Sequence, residues 1–179
     1  MASLSYLDVA RLTGGVYMGG LMSVSELGLP TEFIYSEPIT PDRLQASLYG
    51  TTLERYLLCD VIGKGLIDHS QAKGVPVIVG DSVLLSLATR VKRPLCCLAE
   101  TERRPLSEVG EVLERTNEEF MAQLNEITSP YQFRIFDRVN FPVEQLLPSF
   151  TSCAERFNLV EPLSRVKRTL DLIRDQRDD

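Results

Sequence analysis

Between Val16 and Ser36, two β-rich runs are separated by Ser25-Glu-Leu-Gly-Leu-Pro30, a link holding the glycine and proline that turns use. The runs, residues 16–24 and 32–36, predict an antiparallel hairpin. Behind them Glu37-Pro-Ile-Thr-Pro41 stops the second strand and opens a helix. Thr40 is placed to cap that helix, and Pro41 falls at its first position, where a missing N–H is harmless. A hairpin feeding a helix is a nucleus on which a sheet grows, so the remaining chain must supply further strands and their cover. Gly19-Gly20 within the first run predicts a bulge or a close backbone approach.

Residues 3–12, SLSYLDVARL, carry Leu4, Leu7 and Leu12 and predict a short helix ended by Gly14-Gly15. The helix opened at Pro41 shows Leu44, Leu48, Tyr49, Leu53, Tyr56 and Leu57 as an apolar stripe. Gly50 interrupts it, and an interior glycine costs about 1 kcal/mol relative to alanine, so it marks a kink or close packing. Helix is expected to Ile62, a break around Gly63–Gly65, and a short turn as far as His69. Residues 75–79 and 94–99 are too apolar for half-exposed strands and read as interior ones. Helices are expected over 82–91 and, capped by Ser107, to about Ile127, with a last strand at 131–136. Pro142, Pro148 and Pro162 should divide the C-terminal part into short helical pieces. Leu163, Val166, Leu170 and Ile173 then line a terminal helix.

This order implies an α/β fold: a mixed sheet of the N-terminal hairpin plus three strands joined by crossover helices, covered by helices. Residues 1–140 form the expected core domain. Residues 141–179 form a helical extension packed on that core or on a partner. The element order is similar to a cytidine-deaminase-like layout. A zinc deaminase needs His or Cys with a Glu at one helix start and Pro-Cys-x-x-Cys at the next. The matching positions hold Thr40-Pro-Asp-Arg43 and Gly80-Asp-Ser-Val83. The zinc ligands are absent, so the resemblance implies the layout and no deamination.

Composition excludes several function classes. The net charge is −6, whereas a nucleic-acid binder normally shows a basic excess, so no nucleic-acid partner is expected. The one basic concentration, Arg90, Lys92, Arg93, Arg103 and Arg104, reads as solvated strand ends, or else as an anion pocket gated by residues 63–74. Cys59, Cys96, Cys97 and Cys153 form no CxxC pair and His69 stands alone, so neither a zinc site nor a cysteine–histidine nucleophile is offered. Adjacent Cys96 and Cys97 read as small buried hydrophobes in a reduced, cytoplasmic chain. No apolar run approaches the ~18–20 residues of a membrane span, and the N-terminus lacks signal-peptide character. GxSxG and P-loop patterns are missing, and neither a cofactor nor a metal site is expected.

The best enzymatic lead is a set of carboxylates just after predicted strands: Asp81, Glu100 and Glu37, with Glu102 beside them. Ligands gather at the carboxyl ends of strands in open α/β sheets, and three convergent carboxylates would suit Mg²⁺ or Mn²⁺. Asp81 is also a natural N-cap. The hairpin carries apolar groups on both faces, among them Tyr17, Met18, Leu21, Met22 and Ile34. One of those faces is core, and the other must be covered by the C-terminal helices or by another chain. The expected function is therefore a non-catalytic interaction or assembly protein, a homodimer or partner-binder through the hairpin and C-terminal helix. The alternative is a metal-dependent hydrolase of phosphoesterase type built on the carboxylates.

Overall fold

The computed structural model describes residues 1–178. Its first element is a strand, β1 (Leu4–Leu12), where a helix was expected. Leu4 and Tyr6 point to one face, Leu7 and Val9 to the other, and both sets are buried. A run apolar on both faces satisfies helical spacing as well as alternation, and only its neighbours decide. Gly14 and Gly15, both at positive φ, turn the chain back into β2 (Val16–Val24) instead of ending a helix.

The expected hairpin is present. β2 pairs antiparallel with β3 (Pro30–Tyr35) as well as with β1. The close approach at Gly19 is real, since a methyl there would collide with Ile62. Helix α1 (Arg43–Tyr49) is capped by Asp42 rather than Thr40: its side chain accepts from the Gln45 N–H at 2.7 Å, and Gln45 Oε1 accepts from the Asp42 N–H. The apolar stripe of α1 does not enter the core, for Leu44 and Leu48 are 67% and 73% exposed. Gly50, at φ 52°, kinks the chain into α2 (Leu53–Arg55). A π-helical run (Tyr56–Gly63) and α3 (Lys64–His69) follow without the break expected at Gly63. That glycine keeps helical φ and is needed for contact, since a Cβ would meet the Leu58 carbonyl oxygen at 2.9 Å and Leu84 at 2.9 Å.

Next come β4 (Val77–Val79), a 3₁₀ turn (Ser82–Leu87) in place of a full helix, and β5 (Leu95–Ala99). β4 lies between β1 and β5, parallel to both, as expected for interior strands. The helix expected over 107–127 is instead β6 (Val112–Glu114) and β7 (Glu119–Ala122). Gly110 at φ 91° interrupts helical continuity there, and Phe120 stacks across β8 (Tyr131–Ile135) on Phe133 at 4.6 Å. Pro148 lies inside α4 (Val143–Ala154) and does not divide it, and α5 (Glu161–Asp178) closes the chain.

The eight strands form one mixed sheet in the order β3-β2-β1-β4-β5-β8-β7-β6, an α/β architecture. With a strand at the start and two strands in the 107–127 stretch, the deaminase-like order finds no support. One face carries Leu4, Tyr6, Met18, Ile78 and Phe133 under α4 and α5, through Phe150, Cys153, Val166 and Leu170. The other carries Leu7, Val9, Leu21 and Val79 under Leu58, Ile62, Leu66 and Leu84. The chain's own helices thus cover both faces of the hairpin. No helix among the described residues is long and apolar enough to cross a membrane.

Candidate active site

β1 leads to β2 and β3 on one side. After the helical crossing the chain re-enters on the other side of β1 as β4 and proceeds to β5. The direction of growth reverses between β1 and β4, and in open sheets the crevice beyond the carboxyl ends at such a point is where ligands bind. Asp8 and Arg11 of β1 and Gly80-Asp81 after β4 sit there.

Asp8 is 4% exposed on the central strand. Its Oδ1 accepts the Val9 N–H at 2.9 Å. The carboxyl lies over Gly80, whose own N–H donates to the Leu7 carbonyl at 2.9 Å. A methyl at residue 80 would overlap the Asp8 carboxyl, so glycine here makes room for the acid. Burial pushes the Asp8 carboxyl above its ordinary range. The Val9 N–H and the positive charges of Lys167 on α5 and of Arg11 act against that, and the negative charge of Asp81 adds to it. Gly80→Ala is expected to cost about 1–3 kcal/mol by overpacking, and under 1 kcal/mol when Asp8 is also alanine. Urea unfolding of the two single variants and the double variant checks this coupling.

Arg11 reaches the opposite rim. Its Nε donates to Glu54 Oε1 at 2.7 Å and its Nη1 to Asp81 Oδ2 at 2.9 Å. The other oxygen of Asp81 accepts the Val83 N–H at 2.9 Å, the N-cap role its position suggested. Both oxygens of Asp81 are engaged.

The carboxylates singled out from the sequence do not converge. β3 is parallel to β1, so Glu37 lies at the same edge as Asp81, but three strand spacings away, roughly 14 Å. It pairs with Arg177. Glu100 follows β5 and accepts from Asn158 Nδ2 at 2.6 Å, in the link between α4 and α5, the layer opposite Glu54. Glu102 is exposed. Among the described residues no three His, Cys, Asp or Glu side chains come together as a metal-binding group. A divalent cation does not fit this donor set as arranged, because a guanidinium holds the Asp81–Glu54 position.

Other groups fall away. Arg93 is buried and Arg90 pairs with Asp60, so the basic cluster is no shared anion pocket. Burial raises the thiols of Cys97 and Cys153 to about 11 and that of Cys96 well above its ordinary value, which unsuits them as nucleophiles. His69 contacts the Gly65 carbonyl at the end of α3. The residues that sequence reasoning missed are Asp8, Arg11, Glu54 and Lys167. The available signal was a lone acid amid an apolar run, legible only once residues 4–12 are read as a strand.

No family model matches the chain, and no curated protein does. Among solved structures the chain is similar to the crystal structure of the endonuclease V from Streptomyces avermitilis, with a TM-score of 0.60 and 11% identity over 98% of this chain and 82% of that one. At this identity the likeness is one of fold. It nevertheless overturns the expectation of a non-catalytic assembly protein with no nucleic-acid partner. The physical ground for that expectation has also gone, because α5 and the helices of residues 53–69 already cover the hairpin.

Proposed function

We propose that the chain hydrolyses nucleic-acid phosphodiester bonds, with Asp8 at the reacting centre. The observation that carries this reading is the placement of Asp8: a buried carboxyl seated on a glycine at the strand-order reversal, with its affinity for protons raised. A carboxylate held above its usual range is a better base near neutral pH, suited to taking the proton of a water that attacks phosphorus. The similarity of fold to an endonuclease V supports the same reaction class. With a net charge of −6, attraction for a polyanion must be local, and Lys167 and Arg11 are the cations whose charge acts on Asp8.

The test is direct. Purified full-length protein is expected to release fragments from at least one of labelled single-stranded DNA, duplex DNA and RNA, in buffers holding EDTA, Mg²⁺ or Mn²⁺. If all three substrates survive intact in all three buffers, the reading is wrong.

A further inference from the structure

We infer that Arg11 is the resident cation of this site and does the charge-neutralising work that a divalent ion would do between Asp81 and Glu54. The inference rests on the hydrolase reading. Three observations lead to it. The guanidinium is clamped at both ends, 2.7 Å from Glu54 and 2.9 Å from Asp81. Those carboxylates come from separate elements, one in α2 and one after β4, and Arg11 bonds to both at the crevice mouth. The Nη2 group has no hydrogen-bond partner among the described residues, and the side chain is 43% exposed. A clamped guanidinium with one free edge is a fixed donor for a phosphate oxygen.

Removing the side chain would leave two facing carboxylates, which repel a polyanion and attract a divalent cation. The same change should therefore weaken nucleic-acid binding and create a metal site. A merely structural ion pair would also free a metal site, but it would show no loss of nucleic-acid binding for metal to restore.

The experiment measures binding, not turnover, in an Asp8→Asn background that leaves the probe intact. Fluorescence anisotropy with a single-stranded oligonucleotide in EDTA is expected to show about tenfold weaker binding for Arg11→Ala, and a salt slope reduced by about one. Arg11→Lys should restore part of the loss. Millimolar Mn²⁺ should return Arg11→Ala to the starting affinity and raise its melting temperature, and Asp81→Asn should abolish both effects. Mn²⁺ should not move the melting temperature of the Arg11 protein. The inference is overturned by a Mn²⁺ shift already present with Arg11 and lost in Asp81→Asn, or by Arg11→Ala binding that neither weakens nor responds to Mn²⁺. Cleavage by the native protein that EDTA abolishes would overturn it too, while leaving the hydrolase reading standing. Absence of all cleavage strikes the hydrolase reading alone, because the Mn²⁺ melting arm needs no substrate.

Discussion

Asp8→Asn is expected to lower strand cleavage by at least about 100-fold and, at the same time, to make the protein more stable. The loss follows from general base catalysis, which typically supplies 10²–10⁴ in rate, and from an amide that cannot accept the proton. The gain follows from burial. Asp8 is almost wholly enclosed and its one hydrogen bond comes from the next residue in the chain, so its charge is held at a cost. Asparagine keeps the shape and drops the charge. About 1 kcal/mol of added stability corresponds to a melting temperature ~2–4 °C higher at this chain length. The sign with pH is fixed by the direction of the shift. A carboxyl raised above its unfolded value of 3.8 penalises the fold once it ionises, so the asparagine variant's advantage is full above the raised pKa. That advantage vanishes as the pH falls below the unfolded value. Thermal melts at several pH values, paired with the cleavage assay, read both arms. A variant that is inactive and also less stable at pH 7 would show Asp8 to be a structural acid.

The largest stability effect is expected at Arg93, far from the site. Arg93→Ala should cost about 3 kcal/mol or more in urea unfolding. The guanidinium is 4% exposed at the opposite end of the parallel strands, where it donates from Nε to the Val75 carbonyl at 2.9 Å, from Nη1 to Ser70 Oγ at 3.3 Å, and from Nη2 to Ser5 Oγ. Ser5 Oγ lies 2.8 Å from Ser23 Oγ, and Glu32 accepts from Ser70 Oγ and the Gln71 N–H, both at 2.7 Å. One network thus ties β1, β2 and β3 to the end of α3 and the approaches to β4 and β5. Burial pulls the guanidinium down to about 10 while Glu32 opposes that, so the group stays charged at neutral pH. Truncation would leave the Val75 carbonyl without its donor, take one partner from each of the Ser5 and Ser70 hydroxyls, and remove the counter-charge of Glu32. Methionine, which keeps volume without the donors, should cost less, about 1–2 kcal/mol. A loss below 1 kcal/mol for alanine would mean that water replaces the guanidinium and that the network does not organise this end of the sheet.

Some of this architecture was written in local patterns. The hairpin of β2 and β3, the strands near 77–79, 95–99 and 131–135, and the capping role of Asp81 each depend on a few adjacent residues, and short-range rules suffice for them. The first strand and the 107–127 stretch did not yield to the same rules, for opposite reasons. Residues 4–12 are apolar on both sides, so their spacing suits helix and strand alike until β2 and β4 close on both edges. Residues 107–127 carry Glu at helical intervals, yet Phe120 has its stacking partner on β8, which local periodicity does not register.

The site followed the strand. Asp81 was visible from its place after a β-branched run, but Asp8 becomes notable only when it is known to lie on a central strand, over a glycine, at the reversal of strand order. Charge balance and chain pattern determined by themselves a mixed α/β sheet with a net negative charge and without nucleophile motifs. Which carboxylates meet, which are drawn off by Asn158 or Arg177, and that an arginine stands between Asp81 and Glu54 were decided by the tertiary fold. Those distances join residues more than forty positions apart, and short-range preference carries no record of them.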